Sequence, residues 1–237
     1  MGSLTHFLNA APDEIWRISP SDLTFLWGTC HRCFWLKYVK KIPPSGMQMP
    51  AIFNDIDKNT KEFFTGKDLK DISPFLPQGV VGYHDYKVVS QPIQIGTHLR
   101  QCVISGMVDS IITIEDGSYG VIDFKTSVPD AEHTDLYHKQ LSAYTYALEH
   151  PEEGSLHLEP VSLMGILAYE PATFEVDNNL DSDYKGKTTW IDLGRDDNSF
   201  VDLIDEVLDV LEGPLPPKTP TCSWCKYQTK LHEAGII

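Results

Sequence analysis

Residues 106–144 read GMVDSIITIEDGSYGVIDFKTSVPDAEHTDLYHKQLSAY, and this stretch decides the fold. Val108, Ile111, Ile112 and Ile114 are β-branched residues of the kind strands favour. Glu115-Asp116-Gly117-Ser118 supplies turn chemistry, with Gly117 free to adopt positive φ. Val121, Ile122 and Phe124 then resume a strand, so Asp109 and Asp123 fall on the two arms of a hairpin. Side chains alternate along a strand, which points Asp123 and Lys125 to one face and Phe124 to the other. A half-buried carboxylate is costly unless it is paired or binds a cation. Two carboxylates from adjacent strands make an oxygen-rich site suited to Mg²⁺ or Mn²⁺. Lys125 beside them could orient or deprotonate a water, or offset charge on a phosphate. A lone Asp-x-Lys is as easily an ordinary ion pair. The upstream Asp109 and the Gln140-x-x-x-Tyr144 that follows carry the catalytic interpretation.

Working outward, residues 135–150 have helix character and stop at Pro151, with Gln140 and Tyr144 one turn apart on one face. Residues 161–169 form a buried strand pattern, residues 188–193 a further strand, and residues 198–211 an amphipathic helix ended by Gly213. Upstream, residues 51–64 fit an amphipathic helix, residues 75–82 a loop and residues 86–95 a strand leading into the hairpin. The order is helix, helix, three strands, helix, strand and helix. It predicts an α/β domain with a mixed central β-sheet flanked by helices.

Five cysteines are present, four of them in two C-x-x-C pairs, Cys30/Cys33 and Cys222/Cys225. Cys102 stands alone in an apolar strand pattern and is assigned to the core. Paired C-x-x-C spacing in a cytoplasmic chain points to a metal site rather than disulfides. The pairs lie at opposite ends of the chain, so the two ends must meet. Ser19-Pro20-Ser21-Asp22 opens a helix that carries Cys30 and Cys33 on one side. Residues 213–220, rich in proline, make a stiff, extended approach to Cys222. Four thiolates suit a four-iron–four-sulfur cluster or a tetrahedral Zn²⁺.

At 237 residues with 41% hydrophobic content, the chain can bury a real core as one domain, residues 1–237. The core occupies about residues 51–193, and residues 19–41 and 213–237 form the cysteine-site segments. No apolar run is long enough to cross a bilayer, and residues 1–16 make a poor signal peptide, so a cytoplasmic protein is expected. The formal net charge of −15 is unusual for a nucleic-acid binder. The basic residues cluster at 32–41, either as a strip for a phosphate backbone or as the solvated face of a helix.

The patterns G-x-V-D-x-I, V-I-D-F-K-T and Q-L-S-A-Y resemble the PD-(D/E)XK nuclease superfamily. The nearest branch is the RecB-like one, with the iron–sulfur nucleases of CRISPR adaptation and of helicase–nuclease repair complexes. The resemblance covers the core motifs and extends to both ends of the chain. It implies a restriction-endonuclease-like α-β-β-β-α-β core and a Mg²⁺- or Mn²⁺-dependent deoxyribonuclease. Its substrate would be single-stranded DNA or DNA ends, with a protein partner from a repair or CRISPR complex. It further implies that Asp109, Asp123 and the Phe124 carbonyl bind the metal and that Lys125 assists the attacking water. Gln140 and Tyr144 would contact nucleic acid or support the site. The cysteines Cys30, Cys33, Cys222 and Cys225 would hold the cluster. Two departures stand out. The branch usually has one N-terminal and three C-terminal cysteines. Here no cysteine follows Cys225, and Cys33 takes the place of a cysteine expected near Leu231. In the family the helix at 51–64 carries a histidine or a glutamate that adds a metal ligand; here no histidine occurs in it, and the position nearest the pattern is Lys58, with Asp57 and Asp55 adjacent. An inactive or partner-dependent nuclease-fold binding module is the alternative.

Overall fold

A computed structural model describes residues 15–45 and 50–236; residues 1–14, including most of the segment expected to be a poor signal peptide, lie outside the described part. The chain begins with β1 (Trp16–Ile18), α1 (Pro20–Asp22) and a π-helical turn at Leu23–Trp27. Next come α2 (His31–Lys40), α3 (Ala51–Phe64) and α4 (Leu69–Ile72). Three strands follow, β2 (Gly79–Val89), β3 (Cys102–Ile114) and β4 (Tyr119–Lys125), and then α5 (Ala131–Glu149). The chain closes with β5 (Val161–Val176), β6 (Ser182–Asp192), α6 (Asp197–Glu212) and α7 (Ser223–Glu233).

These strands form one mixed sheet. β3 is its hub: it runs parallel to β1 through Cys102–Ile104 and antiparallel to both β2 and β4. β4 is parallel to β5, and β5 is antiparallel to β6. The parallel step from β4 to β5 needs a crossover, which α5 supplies. The mixed α/β architecture expected from the sequence is therefore the one observed.

Strand alternation distributes the core to both faces of the sheet. Ile111, Val121 and Ile166 pack with Leu141 and Leu148 of α5 and with Ile204 and Leu208 of α6. Ile112, Ile122, Phe124 and Leu167 pack on the opposite side with Phe64 and Leu69. Asp130 and Asp196 cap α5 and α6 by accepting from the His133 and Ser199 N–H groups, satisfying donors that a helix start leaves unpaired. Gly117 closes the β3–β4 turn at φ 89°. Gly106 is required for a different reason: a Cβ there would lie 2.7 Å from Pro20 Cδ and 3.1 Å from Tyr144 Cε1.

Several boundaries differ from expectation. Residues 79–82 belong to β2 rather than to a loop, because Gly79–Val81 pair with Ile112–Ile114. β5 and β6 extend together well past residues 161–169 and 188–193, into a two-stranded ribbon that reaches Val176 and Ser182. That ribbon is exposed on both faces, so no burial periodicity marks it. Cys30 is not on the same helix face as Cys33: it is the extended N-cap residue of α2, after the π-helical turn has ended. Among the described residues, no helix is long and apolar enough to cross a membrane.

Candidate active site

β3 and β4 pair as far as Ser110 with Ile122, and continuing that register sets Asp109 opposite Asp123. The backbone N–H of Phe124 donates to Asp109 Oδ2 (3.1 Å), tying the first acid to the second strand. Asp123 is buried. Its Oδ1 accepts from Gln140 Nε2 (3.3 Å). Its Oδ2 forms an ion pair with Lys125 Nζ, yet it accepts no well-angled hydrogen bond among the described atoms. Burial raises the Asp123 carboxyl to about 7; the Lys125 charge opposes that rise and the Asp109 charge adds to it. Burial alone would lower the Lys125 ammonium, but Asp123 and Asp109 outweigh it and raise it. Lys125 also stands 4.7 Å from the centre of the Tyr137 ring.

Behind Asp123 is a buried polar chain. Thr24, on the π-helical turn, donates to the Leu136 carbonyl (3.0 Å) and reaches Gln140 Oε1 (3.3 Å). Gln140 and Tyr144 are both buried, with their polar atoms 3.5 Å apart. The structure thus brings together all five residues singled out along the strands and α5.

It also brings in two residues that sequence reasoning missed. Lys61 of α3 points at the site with its side chain only 7% exposed. Its Nζ lies 3.0 Å from Asp109 Oδ1, 2.9 Å from Asp57 Oδ2 and 2.9 Å from Asp85 Oδ1. Burial would lower this ammonium; Asp109, Asp85 and Asp57 more than reverse that and raise it. Asp85 has φ 48° beside a register shift in β2, and that irregular backbone turns it toward Lys61. Lys58, by contrast, is exposed and faces Glu62 (3.8 Å). Asp57 and Lys61 are one helical turn apart with opposite charge, the only sequence signal that marked the pair.

The four cysteines form a second centre. Cys30, Cys33, Cys222 and Cys225 are buried, and their sulfurs all lie within 4.8 Å of one another. Cys30 Sγ is 3.6 Å from Cys225 Sγ, and Cys33 Sγ is 3.7 Å from Cys222 Sγ. Burial raises the Cys33 and Cys225 thiols. Burial acts the same way on Cys30, but hydrogen bonds led by the Thr219 side chain and the Cys33 backbone bring it down to about 6. Cys102 is buried away from them, and burial pushes its thiol up to about 12. The proline-rich approach is latched to α2: Arg32 donates to the Pro216 carbonyl (2.8 Å) and Trp35 Nε1 to the Gly213 carbonyl (3.1 Å). Much of the basic strip is engaged internally. Lys37 pairs with Asp22, while Lys40 and Lys41 lie over the Trp35 and Trp16 rings.

A family model described as the PD-(D/E)XK nuclease superfamily matches residues 64–229 of this chain. Among solved structures, the chain is similar to the one titled "Crystal structure of SSO0001", at 18% identity and a TM-score of 0.50. That match covers 91% of this chain and 84% of the other, and at such identity it speaks for the fold alone. No curated protein matches the chain.

Proposed function

Because the chain belongs to the PD-(D/E)XK nuclease superfamily, we propose that it is a divalent-metal-dependent nuclease acting on DNA, at single strands or ends. The observation that carries this is the opposed carboxylate pair of half-buried Asp109 and buried Asp123, with Lys125 against it. The donor set fits Mg²⁺ or Mn²⁺: it is all oxygen, and Asp123 Oδ2 is buried without a well-angled donor. Asp109, Asp123 and the Phe124 carbonyl would hold the ion. A bound ion supplies Lewis acidity and lowers the pKa of its water. The protein groups do the rest. Lys125 keeps its proton beside Asp123, orients the attacking water and faces the charge that builds on the phosphate. Gln140 fixes the Asp123 carboxylate through Oδ1, with Thr24 and Tyr144 holding the amide in place. We assign Gln140 and Tyr144 this supporting role, since both are buried.

The preference for single strands or ends is supported by a groove of about 430 Å³ beside Lys125. It is lined by exposed Phe25 and by Tyr137, whose rings pair edge to face (6.1 Å). Unpaired bases stack on such rings, whereas paired bases cannot reach them. Reduced, buried thiols favour a cytoplasmic setting, with DNA repair, recombination or CRISPR adaptation as the context.

The test is cleavage of labelled single- and double-stranded DNA with Mg²⁺, Mn²⁺ or EDTA. Asp123→Asn and Lys125→Met should each lower the metal-dependent rate by about 10²-fold or more. Equal rates in wild type and variants would sink the assignment. The second reading, a nuclease-fold binding module without activity, is favoured by a cation, Lys61, reaching Asp109 from the helix in which a further metal ligand was expected. It is the correct one if DNA binds but no divalent ion does.

For the cysteines we propose a single structural Zn²⁺. Zn–S bonds near 2.3 Å in a tetrahedron put sulfurs about 3.8 Å apart, close to the 3.6 and 3.7 Å seen here. A four-iron–four-sulfur cluster places each thiolate on a different iron and spreads the sulfurs wider. Anaerobically purified protein should be colourless with one zinc; a brown sample containing iron and sulfide identifies the cluster instead.

A further inference from the structure

Lys61 has no place in the roles assigned so far, yet it is the most heavily paired cation at the site. Three carboxylates from three elements surround its ammonium: Asp57 of α3, Asp85 of β2 and Asp109 of β3. Asp109 is consequently engaged on both oxygens, Oδ1 by Lys61 and Oδ2 by the Phe124 N–H. The connected groups are four carboxylates (Asp57, Asp85, Asp109, Asp123), two ammoniums (Lys61, Lys125) and, 3.6 Å from Asp85 Oδ2, the formally neutral imidazole of His84. Their formal net charge is −2, which one divalent cation neutralises and a second would invert. Nucleases that use two ions place them about 3.5–4 Å apart, both against shared carboxylate oxygens. On the α3 side of Asp109 that space is held by the Lys61 ammonium.

We propose that Lys61 is a built-in cation that holds Asp109 and excludes a second metal, so that this centre works with one divalent ion. This inference rests on the metal-nuclease assignment above. Lys61 is a positioning residue here: it acts through Asp109 and through the charge balance, not on the substrate.

The experiment is calorimetric Mn²⁺ titration of the full chain with its cysteine site already filled. Electron paramagnetic resonance at saturating Mn²⁺ shows whether two ions are coupled. Wild type should take one Mn²⁺ at this centre, with an uncoupled signal. Lys61→Gln should take two, with a coupled signal, and the metal dependence of cleavage should steepen from first order toward second order. Lys61→Arg restores the cation and should return to one ion, an outcome that a merely structural salt bridge does not require. Two ions on wild type, or one still on folded Lys61→Gln, overturns the role of Lys61 while leaving the nuclease assignment intact. No Mn²⁺ on wild type overturns both. Should Lys61→Gln fail to fold, the wild-type stoichiometry and a Lys61→Arg variant that took two ions would each still refute the proposal.

Discussion

Asp123 relies on Gln140 for the donor at its Oδ1, and Gln140 in turn relies on Thr24. This gives a graded expectation for single substitutions. Gln140→Leu leaves Asp123 without that donor and should lower kcat about tenfold with KM little changed. Thr24→Val removes the contact behind Gln140 together with the donor to the Leu136 carbonyl, but leaves the Gln140–Asp123 bond in place and should cost less, as net hydrogen bonds are worth about 1 kcal/mol. Steady-state kinetics of both variants checks the order; a Thr24→Val loss equal to that of Gln140→Leu would refute the chain of support. Gly106 offers a purely steric case. Gly106→Ala puts a methyl against Pro20 and Tyr144 and should destabilise by roughly 1–3 kcal/mol in chemical denaturation. Asp109, Asp123 and Lys125 were legible because strand alternation and one tight turn fix their relation over 17 residues of chain. Lys61 was not. Lys58 and Lys61 look interchangeable in an exposed-looking helix, and which of them turns inward depends on tertiary packing, with Phe64 of the same helix buried against Phe124 and its neighbours.

Between elements, buried charge does work that local pattern does not show. Arg195, just after β6, makes two bonds to Glu149 at the end of α5 (2.7 and 2.6 Å) and one to the Val161 carbonyl (2.6 Å). Glu149 also accepts from the Val161 N–H (2.8 Å), so the pair clamps the crossover that makes β4 and β5 parallel. Arg195→Ala leaves a buried carboxylate poorly paired and should cost about 2 kcal/mol, read as a drop in denaturation midpoint. His98 pins the segment before β3 to α6 through Asp205 (2.7 Å) and Glu212 (3.5 Å). Burial lowers its pKa, but Asp205 and Glu212 raise it further, to a net value above the ordinary 6.5. The folded state therefore favours protonated His98. That stabilisation is fully present below pH 6.5 and is lost as pH climbs through the raised value. Wild-type melting temperature should fall across this window relative to His98→Gln, whose profile should be flatter; parallel profiles would refute the link. Elements whose two faces differ in polarity, such as α6, were readable. The start of β2 and the far ribbon of β5–β6 were not, because β2 is defined by pairing with a distant partner and the ribbon has no buried face.

Across the whole molecule, the cysteine centre joins segments 189–195 residues apart, while α2 holds the proline-rich approach in place. Closing a loop of that length restricts the unfolded chain by about 5 kcal/mol if the cross-link persists on unfolding. Cys222→Ser should therefore lower the melting temperature and open residues 213–236 to protease before the β3–β4 hairpin is cut. Unchanged proteolysis would show that the Arg32 and Trp35 contacts suffice without the metal. The paired C-x-x-C spacing made this closure foreseeable from sequence; the clustering of all four sulfurs within 4.8 Å was not, since it depends on where Cys30 lies relative to α2. The closure also has a clock. Cys33 leaves the ribosome 189 residues ahead of Cys222, roughly 10–40 s at ordinary rates of synthesis. Throughout that interval the nascent protein carries a half-built thiol site, and its first two cysteines must stay reduced and unclaimed until their partners are made.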